Sequence, residues 1–264
     1  MRIAKLDRVE RQSSMGRGLE ILASLAEASG RPPYRAAVVD LANRLDRERS
    51  QVSRTLKYFA DSGLAVKDGK YYELSWDWYA KAQALTARRL REDGLTILEA
   101  VSEQTGEAAF LGTLHGDSTV TIVESVPPST GMIGSWVGRA FPAFCSDAGQ
   151  ATLWDADEEE IRAVFASTVF TSAGPNAAAT VDEFLGRLNE ARARGYTIVD
   201  QEAEPNLYSV AAPVREFRGE VIAALQIVGV RDRLVDRTSE LGMECVRAAS
   251  ALSSLLGAPE ADGS

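Results

Sequence analysis

From Gly16 to Ala28, the residues Leu19, Leu22, Ala23 and Ala26 recur at helical spacing, and Ile21 and Leu25 widen the apolar stripe. That spacing predicts a packed first helix. "GRPP" at 30–33 breaks it, and Val38, Leu41, Ala42 and Leu45 then stand at i, i+3, i+4 and i+7, predicting a second. A third helix, roughly 49–61, carries Val52, Leu56 and Phe59 on one side. At about 100° per residue the opposite side holds Ser50, Arg54, Lys57 and Asp61, with Gln51, Ser53 and Tyr58 on the flanks. Gly63 ends it, and "LAVKDGKYYEL" reads as two short strands around Asp68-Gly69. Three short helices and a basic hairpin have the order of a winged helix-turn-helix.

Residues 76–91 predict a further helix with Trp78, Ala82 and Leu85 on one side, and Asp93-Gly94 is expected to break the chain after it. A new helix begins with Leu95, Leu98 and Val101, and two strands follow around His115-Gly116-Asp117. The Pro/Gly/Ser-rich stretch 127–135 leads into "WVGRAFPAFCSDAGQATLW", a loop entering a helix near Ser146. Helices around 157–166 and 181–194, strands at 196–200, 207–215 and 220–230, and a last helix at 238–256 complete the pattern. The expected fold class is α+β, with helices flanking a mostly antiparallel sheet. The expected domains are 1–75 (winged helix-turn-helix), 76–92 (linker helix), 93–258 (second domain) and 259–264 (a disordered tail).

Charge sharpens this division. Residues 1–75 hold 14 Lys+Arg against 10 Asp+Glu, net +4, while the rest hold 15 against 28, net −13. The first part suits a polyanion and the second would be repelled by one. Two cysteines a hundred residues apart, Cys145 and Cys245, give neither a disulfide framework nor a CxxC pair, which fits a reducing, cytoplasmic setting. The N-terminal residues lack an apolar core of signal-peptide length, and no run of about 18 apolar residues suggests a membrane partner.

On the exposed side of the third helix, Arg49, Gln51, Ser53 and Arg54 are of the types that reach base edges in the major groove of double-stranded DNA. Ser50, Lys57, Tyr58 and the hairpin lysines Lys67 and Lys70 suit phosphates. The same pattern also fits a solvated basic face in a protein-binding winged helix. Arg8 and Arg11 sit on an N-terminal arm that would either reach a minor groove or lie idle. In the second domain the strand 220–230 is apolar on both faces except for Gln226, whose amide needs either a backbone partner or a ligand.

Catalytic chemistry has little to stand on. A nucleophilic cysteine needs a nearby base or cation, and the one histidine, His115, sits in a hairpin turn. There is no P-loop and no GxGxxG, and one histidine cannot build a usual zinc site, so neither cofactor nor metal is expected. The acidic run at 155–160 suits a helix N-terminus.

Several stretches together identify a family resemblance: "GRGLEILASLAE", "DLANRLDRERSQVSRTLKYFADSGLAV", "EQTGEAAFLGTLHGDSTVTIVESV", "VGRAFPAF", "RARGYTIVDQEAEPNLYSVAAPV" and "GEVIAALQIVG". In that order, over nearly the whole chain, they resemble the IclR (isocitrate lyase regulator) family of bacterial transcription factors. The sequence departs from that pattern at "DRER", at Asn206 and Ser209, where glycine and cysteine are common, and at Gly149-Gln150, where glycine-lysine is usual.

The resemblance implies an effector-responsive DNA-binding regulator with a GAF-like effector domain. Such proteins form homodimers or homotetramers and bind near-palindromic operators. It also implies that Ser209, Gln226 and Val228 line the effector pocket. The loop before Ser146 would form its other wall: with Ser146 as N-cap, the amides of Asp147, Ala148, Gly149 and Gln150 form a ready anion site, where the resemblance would put an effector carboxylate. Asp147 weakens that field, and Trp136, Phe141, Phe144 and Tyr208 are either pocket aromatics or ordinary core. The expected effector is a small organic acid or aromatic metabolite. The competing reading is a GAF-like enzyme with a degenerate winged helix.

Overall fold

The computed structural model describes residues 13–30, 32–131, 134–171 and 174–259, so Arg8, Arg11 and 260–264 lie outside the described residues. The chain forms two compact units, Met1–Leu85 and Thr86–Ser264.

The first unit contains α1 (Ser14–Ser29), α2 (Val38–Leu45), α3 (Arg49–Asp61) and the strands β1 (Ala36–Ala37), β2 (Ala65–Asp68) and β3 (Tyr71–Leu74) in the order β1-β3-β2. Ser13 caps α1 by accepting from the Gly16 amide at 2.9 Å. The core is built on Ile21, Leu25, Leu41, Val52, Leu56 and Phe59. The packing stripe of α1 centres on Ile21 and Leu25, both fully buried, while Leu19 is exposed. Helix α1 is apolar around much of its circumference, so the partner surface, not the periodicity, selects its inner face.

The turn between α2 and α3 requires a left-handed residue, supplied by Asp46 at φ 50°. Asp is among the few L residues that adopt this conformation at modest cost. The Arg47 amide reaches back to the Ala42 carbonyl at 2.9 Å, and its guanidinium pairs with Glu20 of α1. The acidic residues of "DRER" therefore shape the turn. Glu48 accepts from the Ser50 hydroxyl, while Arg44 pairs with Glu27.

A 30-residue helix, α4 (Trp76–Thr105), replaces the two helices expected around Asp93-Gly94. Asp93 pairs with Arg89 one turn back, and a Cβ on Gly94 would stand 3.1 Å from a Leu111 methyl. Glycine here serves close packing, and tertiary contact overrides a local turn signal.

In the second unit six antiparallel strands follow the order β6-β5-β4-β9-β8-β7. They are β4 (Ala108–His115), β5 (Ser118–Ser125), β6 (Ala140–Pro142), β7 (Thr197–Asp200), β8 (Leu207–Arg215) and β9 (Val221–Val230). The short strand β6 lies in what reads as loop in the sequence. Alternation along β4, β8 and β9 sends Leu111, Val210, Ala212, Leu225 and Ile227 to one face. There they meet Leu98 and Val101 of α4, and Leu241, Cys245 and Leu252 of α8 (Thr238–Leu255). On the other face α5 (Asp147–Thr152) packs Ala148 and Ala151 against Ala211 and Ala224. Beyond it α6 (Glu158–Val164) and α7 (Val181–Arg194) close a second aromatic cluster.

Gly242 of α8 lies so close to the sheet side that a Cβ would sit 2.4 Å from the Tyr196 ring. Helix propensity alone favours Gly242→Ala by about 1 kcal/mol, whereas overpacking a buried ring costs about 1–3 kcal/mol. The variant is expected to unfold at lower urea than the parent chain, with an unchanged slope.

Candidate functional site

The chain offers a basic helix face in the first unit and a lined cavity in the second. Helix α3 starts at Arg49 because Glu48 holds extended backbone and its carbonyl accepts from the Val52 amide at 3.1 Å. Burial of Val52, Leu56 and Phe59 turns Arg49, Ser50, Arg54, Lys57 and Tyr58 outward, while Gln51 and Ser53 are half-buried on its flanks. Arg54 lies back along the helix, donating from Nε to the Ser50 carbonyl at 3.3 Å. Lys57 pairs with Asp61 at 2.7 Å, which raises its pKa. Arg54 and Tyr58 also border a groove with Ser14, Met15 and Leu19 of α1. The hairpin turns at Gly69 (φ 57°), and its exposed Lys67 and Lys70 lie over the Tyr72 and Tyr71 rings at 5.8 and 5.2 Å.

The cavity lies against the middle of the sheet on the α5 face. Of the residues expected there, Trp136, Phe141, Ser146, Ser209, Gln226 and Val228 line it. Tyr208, Phe144, Ala148, Gly149 and Gln150 do not. Tyr208 precedes Ser209 on one strand, so the two must face opposite sides; it joins the α8 core and its hydroxyl meets Thr238 Oγ1 at 2.6 Å. Phe144 packs on Phe170, ring centroids 4.7 Å apart, in the aromatic cluster behind α5. Ala148 is pressed onto Ala211 and Ala224, and Gln150 is buried. Gly149 permits the loop to close on α5, since a Cβ there would stand 1.9 Å from the Ala143 oxygen.

The anion site expected at the start of α5 is already occupied by the chain itself. The Ala148 amide donates to Asp147 Oδ1 at 2.8 Å, the Gly149 amide to Ser146 Oγ at 3.0 Å, and the Gln150 amide to the Ser146 carbonyl at 3.3 Å.

Sequence reasoning missed Phe110, Gly112, Thr119, Val120, Thr121, Arg139, Val199, Ala203 and Leu207 as lining residues, and read Asp147 only as a field. Gly112 carried a signal. An isolated glycine within a strand marks close approach, and here a Cβ would lie 2.7 Å from Gln226 Nε2. Phe110 was also within reach, because it stands opposite Gln226 in the β4–β9 register. Arg139, Val199, Ala203 and Leu207 come from separate segments and carry no local mark. The loop before β6 is held by the Trp136 amide on Glu124 Oε2 at 2.7 Å, and Arg139 lies 5.0 Å over the indole.

Burial pushes the Asp147 carboxyl up to about 6, against the Ser209 hydroxyl and the Ala148 amide, which favour its charged form. Its Oδ2 has no hydrogen-bond partner among the described residues. Burial likewise raises Glu202 to about 7, opposed by Arg187 at 2.6 Å and reinforced by Asp147. The Cys145 thiol is pushed up to about 12 by burial and then by Glu202, so it is protonated at neutral pH and is no nucleophile. Burial also raises Cys245.

A carboxyl raised in the folded state stabilises the fold below its ordinary pKa, and that stability is lost as pH rises through about 6. Removing the charge by Asp147→Asn should return about 3 kcal/mol at neutral pH, less about 1 kcal/mol for an unmatched amide. The variant is expected to be the more stable protein at pH 7.5 and to lose that advantage near pH 4, as read by urea unfolding at the two pH values.

The family model for the bacterial transcriptional regulator IclR C-terminal region matches residues 82–254. The HTH-type regulator BhcR of Paracoccus denitrificans is 28% identical over 252 residues, 91% of this chain and 86% of that protein. The repressor AllR of Klebsiella pneumoniae is 27% identical over 258 residues, 94% and 92% of the two chains. A Pca regulon regulatory protein of Pseudomonas putida is 26% identical over 217 residues, 81% and 73%. Among solved structures, an IclR-family regulator from Rhodococcus sp. has a TM-score of 0.68 at 23% identity over 92% of each chain. The Thermotoga maritima IclR has 0.60 at 19% identity, covering 92% of this chain and 98% of that one. These relatives are regulators, and nothing supports the enzyme reading. With its second unit matched by the family model and its α+β fold shared with these structures, the chain belongs to the IclR family of bacterial transcriptional regulators.

Proposed function

We propose that this regulator binds a near-palindromic operator as a homodimer or homotetramer, acts as a repressor, and is controlled by a small effector held in the sheet cavity. The observation that carries the reading is the outward face of α3. In a chain of net charge −9 it presents Arg49, Ser50, Arg54 and Lys57 together, with Lys67 and Lys70 on the adjoining hairpin. Helix α3 enters the major groove, where Arg49, Gln51, Ser53 and Arg54 read base edges. Ser50, Lys57, Tyr58 and the hairpin lysines hold phosphates, and Lys57 exchanges Asp61 for one of them.

In this reading residues 1–75 form the DNA-binding domain, 76–92 the linker and 93–258 the effector domain, in the cytoplasm where the operator is. Trp78 and Leu85 of α4 are exposed at 45% and 59%, an apolar stripe suited to pairing two copies. The unbroken α4 runs from one unit into the other and is the path for coupling, provided the effector binds two arrangements with different affinity. Trp136, Phe141 and Phe110 supply flat apolar walls for a ring.

Fluorescence anisotropy on DNA upstream of the gene tests the reading face. Arg54→Ala is expected to weaken operator binding about tenfold or more and to relax sequence preference, because a base contact is worth roughly 1–3 kcal/mol. Lys67→Ala should weaken specific and non-specific DNA alike and lower the salt slope by about one. Wild-type affinity in Arg54→Ala would remove that residue from the reading face.

A further inference from the structure

The cavity wall carries two buried polar atoms without a hydrogen-bond partner among the described residues, Asp147 Oδ2 and Trp136 Nε1. Gln226 is also buried on that wall. Asp147 is 6% exposed and no cation pairs with it among the described residues. The acidic group coupled to it, Glu202, already holds Arg187. Among the described residues the one cation lining the cavity is Arg139, which is exposed and lies on the Trp136 ring. A buried carboxylate left in this state is costly, and a charged donor brought to it recovers more than a neutral one. An incoming carboxylate, by contrast, would meet the Asp147 carboxyl at a helix start whose amides at Ala148, Gly149 and Gln150 are already taken.

We propose that the cavity selects an organic amine: a small, flat, largely apolar molecule whose protonated nitrogen donates to Asp147 Oδ2 while its ring lies against Trp136, Phe141 and Val228. This rests on the reading of the cavity as the effector site and adds the class of ligand. Ser209 and Gln226 stand on the same wall and offer further acceptors for the ammonium protons.

The test uses the full chain at pH 7.5 and three near-isosteric probes that differ in charge: benzylamine, benzyl alcohol and benzoate. Dissociation constants are measured by calorimetry or ligand-observed NMR. Benzylamine is expected to bind about ten- to a hundredfold more tightly than benzyl alcohol, the range of a charge-assisted hydrogen bond, and benzoate most weakly. Asp147→Asn should bring the amine-to-alcohol ratio close to one, and Val228→Phe, which fills the cavity, should weaken all three. Benzoate binding as tightly as benzylamine, an amine preference that survives Asp147→Asn, or no binding of any probe would overturn the amine proposal. If benzoate wins while Val228→Phe still blocks it, the ligand class falls and the cavity reading stands. If Val228→Phe leaves binding unchanged, the cavity is not the site and both fall.

Discussion

Strand β9 is hydrogen-bonded along both edges, to β4 and β8, and packed on both faces. Because side chains alternate every residue, that single constraint assigns each position of three strands either to the α8 core or to the α5 side. Ala223, Leu225 and Ile227 fill the core, and Ala224, Gln226 and Val228 face α5 and the cavity. A one-residue slip would bury Gln226 under α8 and place Leu225 in the cavity. The site is thus a consequence of register before it is a consequence of any one residue's chemistry.

Charge follows a similar separation. A polyanion is met by one helix face and a hairpin, and the second unit can be acidic without harm because only the reading face needs a positive field. Among the described residues of that unit the buried acids are otherwise ion-paired: Glu107 with Arg233 and Arg237, Glu244 with Arg247, Glu202 with Arg187, Glu216 with Arg218. Asp147 is the exception, buried on the cavity wall with its Oδ2 unmatched. Such a residue reduces the stability of the fold, and ligand recognition is a physical reason for keeping it.

Much of this architecture is legible along the chain. The helices α2 and α3, the hairpin at Asp68-Gly69, the strands β4, β5, β8 and β9 and the last helix all follow from periodicity and turn chemistry, which act within a few residues. Where the reading failed, the deciding partner was remote in sequence. Asp93-Gly94 has every local mark of a turn, yet Leu111 and Leu252 are what Gly94 packs against. Tyr208 looks like a pocket aromatic beside Ser209, and alternation alone could have excluded it. Phe144 and Trp136 are indistinguishable as sequence, while one is sealed behind α5 and the other borders the cavity.

The sequence by itself determined the α+β class, the two-part organisation, the family, and a basic helix in an acidic chain, because each depends on periodicity, composition or an ordered series of motifs. Only the tertiary structure decided which aromatics meet the cavity, that α4 is continuous, and that the amides at the start of α5 are turned inward on Ser146 and Asp147. Those facts depend on distances between segments far apart in the chain. "CSDAGQ" reads as an anion cradle until the fold shows its own carboxylate occupying it.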